Sequence, residues 1–385
     1  MVFLSTNDGA DASPPAAPGH LPAAGATPPA WREIVARYAE PDARRGIIQL
    51  LNTGLPFVAL FAAMLCGVHY GIWATLLLAV RAAALLLRLF MFQHDCGHGS
   101  FFNARWANDG LGRLLGVLTL TPYAWWRRSH ALHHASSGNL DRRGVGDIDT
   151  LTVREYFSSP AWRRLRYRLY RHPLVLFGLG PTWHFLLRQR IPTGHPLRHH
   201  DNWTSVLGTN AAIAALIATM ALTVGLRSFL LAYLPVVLLA GTIGIWLFYI
   251  QHQFEETYWD GGPRWTFQAA ALEGASFYDL PRILHWVTGY IGFHHIHHLS
   301  SRIPNYRLRD CFAENPELRQ VKRLSLIASV RCARLTLWDE TSRRLVSFRE
   351  ARQRARRVTE HLAVGRGQVA PAADSDCSRR AGSSG

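Results

Sequence analysis

Apolar residues are concentrated in four long runs, and polar, strongly basic segments separate these runs into two pairs. The runs cover residues 47–70, 72–92, 206–224 and 229–250. Each is close to the roughly 20 residues that a helix needs to cross about 30 Å of hydrocarbon. The pattern therefore predicts an all-α integral membrane protein with four transmembrane helices arranged in two hairpins.

Two features inside and between the runs need an explanation. The second run contains Arg81 and Arg88, and an arginine within an apolar run costs a few kcal/mol unless it snorkels or pairs. Arg88 lies near the end of its run, so we expect it to snorkel, whereas Arg81 lies deeper and has no evident partner. Two shorter apolar pieces, 111–123 and 174–187, are too short to span and predict interfacial or buried helices.

The remaining segments divide the chain into four parts. The first residues, 1–29, are rich in proline and alanine and predict a disordered leader, and a short amphipathic stretch at 31–38 is expected to lie on the membrane surface. The last residues are polar and predict disorder. We predict a leader at 1–44, a membrane domain at 45–310, a helical C-terminal segment at 311–361 and a disordered tail at 362–385.

The charge of the chain indicates its orientation in the membrane. The net charge of +16 comes almost wholly from arginine, because Lys322 is the only lysine. No nucleic-acid recognition motif accompanies this charge, so the partner it favours is an anionic membrane surface and no nucleic acid is expected. The arginine excess lies in the N-terminal, central and C-terminal segments. The positive-inside rule then predicts that both termini and the central polar segment face the cytoplasm, in a bacterial inner membrane. These segments together are predicted to form a helical cap on the cytoplasmic side of the four helices, which we call the polar cap.

Nineteen histidines include three clusters with a common spacing. Residues i, i+3 and i+4 of a helix share one face, so each cluster can direct two or three imidazoles at one point. All three clusters fall next to the ends of apolar runs on the same predicted side. The clusters are His94 and His98; His130, His133 and His134; and His294, His297 and His298.

These eight imidazoles are too many for one zinc ion, which takes four ligands or three plus water. The clusters therefore predict two metal ions of higher coordination number. Imidazole suits zinc, copper, iron or nickel, so the ligand type alone leaves the metal open. His252, just after the fourth run, is a ninth candidate, and His295 is less suited because the face is complete without it. We expect four other histidines to be bystanders: His184, His199, His200 and His285.

The motifs resemble those of membrane fatty-acid desaturases. His94-Asp-Cys-Gly-His-Gly-Ser-Phe-Phe102 is similar to the first histidine box of that family, and His294-His-Ile-His-His-Leu-Ser-Ser-Arg-Ile-Pro-Asn-Tyr306 is similar to the third. The segment 130–148 resembles the second box of bacterial acyl-lipid desaturases, and 251–256 is similar to a further segment of those proteins. The resemblance covers about residues 45–310.

The resemblance implies a non-haem centre of two iron ions, O₂ as oxidant and electrons from a separate ferredoxin-, flavodoxin- or cytochrome-type donor. The first box has three residues between its histidines, as acyl-lipid desaturases have, which implies that the substrate is an acyl chain of a membrane lipid. Candidate partners that orient the imidazoles are Asp95, Asp147, Asp149 and Glu255.

Two other functions compete with this one. A membrane di-iron hydroxylase or ketolase uses the same ligands, although the sequence at 299–306 favours a desaturase. A metal transporter with histidine-rich loops belongs to a different class. Transport sites normally place polar or ionisable groups in the transmembrane helices, and the four runs contain few beyond the two arginines. No sequence pattern indicates the length of the acyl substrate or the position of the double bond. The oligomeric state of the protein is likewise not indicated.

Overall fold

The structure is a computed structural model that describes residues 30–68, 70–144, 146–192 and 200–367. The predicted disorder of 1–29, most of the predicted disordered tail at 362–385 and the position of His199 lie outside these residues. The last helix reaches Gly367, so the first six residues of that tail are helical, in contrast to the prediction. Sixteen α-helices lie within the described part of the chain: α1 (Ala30–Ala36), α2 (Ala43–Gly67), α3 (Ile72–His98), α4 (Arg105–Leu118), α5 (Tyr123–Ser136), α6 (Val153–Ser158), α7 (Ala161–Tyr170), α8 (Gly180–Thr182), α9 (His200–Thr223), α10 (Leu226–His252), α11 (Phe267–Leu272), α12 (Arg282–Val287), α13 (His294–Leu299), α14 (Asn305–Glu314), α15 (Leu326–Cys332) and α16 (Phe348–Gly367).

The four long helices α2, α3, α9 and α10 are long and apolar enough to cross a membrane, which confirms the predicted fold class. They form two hairpins, and each hairpin turns at a glycine, Gly71 with φ 142° or Gly225 with φ 85°. Only glycine adopts such angles without strain. Helices α3 and α10 continue past the apolar runs to His98 and His252, so both carry their last turn beyond the hydrocarbon.

The central pair of helices, α3 and α10, pack against each other, and the outer pair cover them. In the most apolar part of α3, 56% of the residues are buried, and the value for α10 is 44%. The values for α2 and α9 are 17% and 6%, so these two helices turn most of their surface to lipid. Because the hairpins run in parallel, the C-terminal ends of α3 and α10 meet on one side of the four helices.

Arg88 does not snorkel as we expected from its position. Its side chain is only 2% exposed, and its guanidinium donates to Thr53 Oγ1 at 3.1 Å and to Gln49 Oε1 at 2.9 Å in α2. It also donates to the main-chain carbonyl of Trp286 and lies over that residue's ring. Three acceptors and a π-face replace the lost hydration of the charge. Arg88 thus ties α3 to α2 and to α12, while Arg81 lies on the exposed side of α3.

The two short apolar pieces pack against the long helices. The first forms most of α4 and the turn to α5. The second consists of π-helical turns at Leu174–Leu179 and Trp183–Leu187 with α8 between them. Thr242 of α10 donates to the carbonyl of Phe177, and Gly241 leaves room for the ring of Phe185. Gly241 lies about 16 Å before the end of α10 at 1.5 Å per residue, so this piece reaches hydrocarbon depth.

The segment after the third histidine cluster is not wholly helical, in contrast to our prediction for 311–361. It contributes three short strands, β3 (Arg323–Ser325), β4 (Leu337–Asp339) and β5 (Arg344–Val346), which follow β1 (Leu151–Thr152) and β2 (Phe277–Asp279). Strand β4 pairs in parallel with β1 and antiparallel with β5. Strands β2 and β3 pair in parallel. These strands fasten the C-terminal segment to the rest of the polar cap.

The amphipathic stretch at 31–38, which we expected to lie on the membrane surface, packs its apolar face against protein. Ile34, Val35 and Tyr38 are buried in a cluster with Phe293 and Ile296 of the third histidine region. The Tyr38 hydroxyl also donates to the Glu314 carboxylate at 2.5 Å. The apolar face of this stretch thus has a protein partner, so α1 belongs to the cap that covers the histidine clusters.

The contact between α4 and α5 gives a sharp test of the fold. A Cβ atom at Gly112 would lie 2.3 Å from the ring of Tyr123, whereas one at Gly110 would meet no atom within 4 Å. Tyr123 is 1% exposed and its hydroxyl donates to the carbonyl of Cys96, so the ring has no space to move into. We expect Gly112→Ala to lower the free energy of unfolding by about 1–3 kcal/mol.

Gly110→Ala is the matched control on the same helix. It should leave stability unchanged or raise it by up to about 1 kcal/mol, because alanine is the better helix former. Thermal unfolding of the purified protein in detergent, followed by tryptophan fluorescence, compares the two variants. Equal melting temperatures for both variants would contradict this packing of α4 on Tyr123.

Candidate metal centre

The end of α3 presents the first two imidazoles. His94 and His98 lie four residues apart in the last turns of α3, and their ring centroids are 4.7 Å from each other. The helix stops at Gly99, whose φ of 69° is left-handed, so the chain turns away directly after His98. The two rings therefore project from the end of a buried helix that is fixed on several sides.

Helix α5 lies next to this end and adds three imidazoles. Gly97 allows the approach, since a Cβ atom there would lie 2.8 Å from the ring of Trp126. The Trp126 ring in turn stacks on the ring of His130 with centroids 4.7 Å apart. His133 and His134 follow one turn later in α5. Close packing of two helices thus sets the distance between the first and second histidine clusters.

The remaining imidazoles come from α13 and from the end of α10. Helix α13 consists almost wholly of the third cluster, and each of its residues is buried. His252, the last residue of α10, is 7% exposed and points at this cluster. Its Nε2 atom lies 2.9 Å from His294 Nε2 and 3.1 Å from His133 Nε2. The ninth histidine, which the sequence left open, therefore joins the others in the structure.

The nine histidines form two groups, in each of which all candidate ligand atoms lie within 4.8 Å of one another. Each group contains histidines from more than one sequence cluster. A group is therefore assembled by the packing of several helices. The first group is His94, His98, His130, His134 and His297, and the second is His133, His252, His294 and His298.

The spacing of the nitrogen atoms fits metal ions. His134 Nε2 lies 3.2 Å from His130 Nε2 and 3.1 Å from His297 Nε2. Two ligands at right angles on an ion with metal–nitrogen bonds of about 2.1 Å are separated by about 3.0 Å. In addition, the buried His98 Nε2 has no hydrogen-bond partner in the described part of the chain. A metal ion in each group would satisfy these converging lone pairs.

The protonation state of the rings also suits metal binding. Burial is the main cause, and repulsion from neighbouring imidazoles the second cause, of a lowered pKa in the histidines outside the long helices. A neutral imidazole offers a free lone pair, which a metal ion requires. The pKa lies well below its usual range for His130, His134, His294, His297 and His298.

Carboxylates contact two of the rings from behind. Asp95 Oδ1 lies 3.3 Å from His94 Nδ1, and Asp147 Oδ1 lies in close contact with His133 Nδ1. Such contacts select the tautomer that leaves Nε2 free and fix the plane of the ring. The main-chain carbonyl of Gly274 takes the same position at His252 Nδ1, at 3.0 Å. Each of these three partners therefore directs an Nε2 atom toward its group.

Of the other two carboxylate candidates, Glu255 is directed elsewhere. Glu255 is ion-paired with Arg344 at 2.5 Å, and its side chain is 54% exposed. Asp149 contacts Tyr170 and Arg171 through its main chain. Glu255 therefore does not orient an imidazole, although it lies only three residues from His252. Exposure to water and an arginine at the surface explain this outcome.

Several histidines lie outside the two groups. His295 Nε2 lies 3.0 Å from the Leu318 carbonyl, on the side of α13 that faces away from the groups, and burial lowers its pKa to about 4. His285 stacks on Phe293, and His184 contacts Gln189. The side chain of His200 is outside the described residues. These positions agree with the expectation that the clustered spacing, and not histidine content, marks the centre.

Sequence reasoning missed Asn305, which supports the first cluster from a distant segment. Its main-chain and side-chain nitrogen atoms donate to Asp95 Oδ2 at 2.9 and 2.8 Å. Asn305 lies in the stretch that follows the third cluster, so a signal was present, but only the fold brings it to Asp95. The carboxylate is thereby fixed between Asn305 and His94.

We expect Asn305→Ala and Asp95→Asn to weaken metal binding by about 10–100-fold each, the usual effect of losing a partner that orients a ligand. Competition with a chromogenic iron chelator measures this affinity. Because both residues act through one chain of contacts, the double variant should be little weaker than the stronger single variant. Fully additive effects would show that Asn305 does not act through Asp95.

A small cavity borders the second group. Its wall includes His252, Asp147 and Phe248, together with Tyr258 and Trp259 from the loop that follows α10. The ring of Phe248 lies 5.0 Å from the ring of His133. The cavity leaves space for at most a molecule the size of water beside the His252 ring, whose Nε2 belongs to the second group.

Known proteins are similar to this chain in sequence. The family model described as fatty acid desaturase matches residues 52–327. A fatty acid desaturase of Bacillus subtilis (strain 168) is 45% identical over 315 residues, which cover 82% of this chain and 89% of that protein. An sn-1 acyl-lipid omega-3 desaturase (ferredoxin) of Synechocystis is 31% identical over 244 residues, which cover 58% of this chain and 62% of that protein.

A second Synechocystis protein, an sn-1 oleoyl-lipid 12-desaturase, is 29% identical over 63% of this chain and 69% of its own length. The family match contains all nine clustered histidines and most of the four long helices. It confirms the resemblance that the histidine clusters carry and favours an enzyme over a transporter. Because the match extends over well more than half of the chain, this protein belongs to the fatty acid desaturase family and is an oxidoreductase that acts as a desaturase.

Proposed function

We propose that this protein is an acyl-lipid desaturase, which introduces a cis double bond into acyl chains of membrane lipids at a centre of two iron ions. The observation that carries the proposal is the pair of histidine groups at the joined ends of α3 and α10. Nine imidazoles in two adjacent groups supply enough nitrogen ligands for two six-coordinate ions with positions left for other ligands. The four apolar helices keep this centre next to the acyl chains of the bilayer.

The reaction defines what the partners must supply. Removing one hydrogen from each of two adjacent methylenes and reducing O₂ to two water molecules requires two further electrons and two protons. A separate electron donor is therefore part of the proposal. Two cyanobacterial relatives carry ferredoxin in their names, which supports a ferredoxin-type donor over a flavodoxin- or cytochrome-type donor.

The side chains of the protein hold and shield the centre. Bound iron supplies the oxidising power for attack on an unactivated C–H bond, which no protein acid or base provides. The histidines bind the ions, and Asp95 and Asp147 keep the rings in one orientation. Trp126 and Phe248 lie against the rings of His130 and His133 and place apolar walls next to the centre. These walls exclude water from the surface on which an acyl chain would lie.

The orientation of the chain is part of the proposal. The cap carries most of the arginines, so the positive-inside rule places the metal centre and both termini on the cytoplasmic side of a bacterial membrane. An acyl chain can then enter sideways from the cytoplasmic leaflet, and a soluble electron donor can reach the cap from the cytoplasm. The names of the two Synechocystis relatives, one with acyl-lipid and the other with oleoyl-lipid, support a lipid-bound substrate.

The test uses a bacterial host with labelled phospholipid in its membrane. After the label is incorporated, fatty-acid synthesis is blocked and this protein is expressed. Mass spectrometry of intact lipids and of their methyl esters should show new double bonds in chains that keep their original headgroup. The His134→Ala variant serves as the control without a complete centre.

Each alternative predicts a different product in this experiment. A hydroxylase or ketolase adds oxygen to the chain and raises its mass, whereas a desaturase lowers the mass by two hydrogens. Unsaturation confined to newly made thioester pools would contradict the acyl-lipid substrate but not the desaturation itself. Oxygenated lipid without unsaturated lipid would contradict both.

A further inference from the structure

Two short amphipathic helices of the cap expose apolar side chains outside the four long helices. Helix α7 exposes Trp162, Leu165 and Leu169, which are 55–58% exposed and share one face at i, i+3 and i+7. The opposite face buries Tyr167 and Tyr170. No other part of the described chain covers this apolar face, so its partner lies outside the cap.

Helix α15 repeats the arrangement. Leu326, Ile327 and Val330 are 40%, 80% and 65% exposed, while Ser329 and Cys332 on the other side are buried. The two exposed faces, taken together, make six large apolar side chains at the surface. We call this set the shelf: Trp162, Leu165, Leu169, Leu326, Ile327 and Val330.

Both helices are fastened to the same point near the end of α10. The Tyr249 hydroxyl lies 3.0 Å from the carbonyl of Cys332, the last residue of α15, and 2.7 Å from that of Leu335. Arg171, which follows α7, donates to the Tyr249 hydroxyl at 3.1 Å and to the Leu335 carbonyl at 2.8 Å. Tyr249 lies three residues before the end of α10, so both helices are attached where that helix leaves the hydrocarbon.

The surface of α7 continues into a part of the chain that lies at membrane depth. Leu174 and Leu179 of the following segment are 75% and 67% exposed, and this segment packs on α10 at Thr242. Exposed apolar side chains therefore recur from Trp162 to Leu179, which lies in the segment beside the middle of a spanning helix. Apolar side chains exposed at this depth fit lipid better than they fit a soluble partner.

The charge around the shelf indicates which lipid headgroups it would contact. Helix α7 contains four arginines and no acidic residue, and Arg163 and Arg166 lie over the ring of Trp162. Arg331, in the last turn of α15, and Arg334, just after this helix, are exposed. Arginine side chains at the edge of an apolar helix face attract anionic headgroups. The partner that this surface fits is a leaflet rich in anionic phospholipid.

We propose that the shelf docks on the headgroup region of an anionic leaflet and holds the cap against the bilayer. This proposal rests on the membrane location in the proposed function and not on its chemistry. The shelf is linked to the metal centre by a short path. Tyr170 and Arg171 contact the main chain of Asp149, two residues from Asp147, which contacts His133. Docking of the shelf therefore supports the loop that orients one of the imidazoles.

The test measures the depth of the shelf directly. In a chain with Cys66→Ser and Cys377→Ser, the single variants Leu165→Cys and Ile327→Cys are labelled with an environment-sensitive fluorophore. Thr341→Cys, at an exposed turn beyond β4, is the control position. The protein is placed in nanodiscs of phosphatidylcholine alone or with phosphatidylglycerol at one part in three. Lipids brominated near the headgroup quench fluorophores at that depth.

We expect blue-shifted emission and quenching at Leu165 and Ile327 but not at Thr341, with at least twofold stronger quenching in the anionic nanodiscs. The double variant Leu165→Glu, Ile327→Glu should lose the dependence of desaturation rate on phosphatidylglycerol, whereas Thr341→Glu should keep it. The depth measurement needs no activity, so it stands even if the protein proves not to desaturate lipids.

Three outcomes would overturn the proposal. Emission at Leu165 and Ile327 equal to that at Thr341 in both nanodiscs would place the shelf in water. Equal quenching with and without phosphatidylglycerol would show that docking of the shelf does not depend on anionic lipid. A blue shift at Leu165 and Ile327 that appears only after a ferredoxin is added would show that the shelf binds the electron donor and not lipid.

Discussion

Replacing either His134 or His252 by alanine is expected to abolish desaturation. The two residues belong to different groups, and each has an Nε2 atom within 3.2 Å of the Nε2 atoms of two neighbouring histidines. Loss of a partner that merely orients a metal ligand usually costs 10–100-fold, so loss of the ligand should cost more than about 100-fold. Because O₂ reduction needs both ions, either substitution alone should be sufficient.

His295→Gln is the matched control for these substitutions. His295 is fully buried and lies next to His294 in α13, but its Nε2 contacts the Leu318 carbonyl. Glutamine can donate the same hydrogen bond, so this variant should fold, keep its iron and retain activity within a few fold. Activity is measured as unsaturated product per mole of protein, and iron by elemental analysis of the same sample.

The His252 variant is the more informative of the two. If His252→Ala keeps both iron and activity while His134→Ala loses them, the second group lacks the role that we propose for it. If His295→Gln is as inactive as both alanine variants, the clustered histidines do not act differently from a buried bystander. The contrast between His295 and its neighbours thus tests the assignment of the groups.

Hydrophobic length was sufficient to predict the membrane architecture. Four runs near 20 residues predicted four helices, and four helices of that type lie within the described residues. A spanning helix is specified by local composition, because lipid offers no other way to satisfy its backbone. The same reasoning failed for Arg88, because its position in the run does not reveal that Gln49, Thr53 and Trp286 surround it. Burial of a charge depends on residues that are distant in sequence.

Histidine spacing predicted which residues come together but not how they divide between the two groups. Two residues four positions apart on a helix point in directions that differ by about 40° around its axis. Two neighbouring residues, such as the second and third histidines of a cluster, point about 100° apart. The pairs His94 and His98, His130 and His134, and His294 and His298 therefore each stay in one group. His133 and His297 point toward the group opposite to that of their own cluster.

Other features required contacts that no local pattern encodes. Strands β1 and β4 contain two and three residues, which is too short for an alternating pattern, and they meet only because the C-terminal segment folds back on the cap. The stretch at 31–38 has the apolar face of a surface helix, and only its partner Phe293 shows that the face is buried by protein. Amphipathic patterns reveal that a face will be covered, but not by what.

We expect the purified protein to contain two irons per chain, and we expect removal of this iron to abolish activity. Nine histidines in two groups exceed the ligand number of one ion, and the neutral state of the buried rings leaves their lone pairs available. Treatment with an iron chelator under anaerobic reducing conditions should yield inactive protein. Addition of two equivalents of ferrous iron should restore activity, with a break in the titration at that ratio.

Zinc provides the control that separates metal binding from chemistry. Imidazole ligands bind zinc and iron alike, but zinc has no redox chemistry, so a zinc-loaded protein should be folded and inactive. Thermal unfolding shows whether zinc occupies the site, because a bound ion stabilises the folded state. The Asp95→Asn variant should need a higher iron concentration for half-maximal recovery. A titration that breaks at one equivalent, or full activity with zinc, would contradict a centre of two irons and leave the second histidine group without its proposed role.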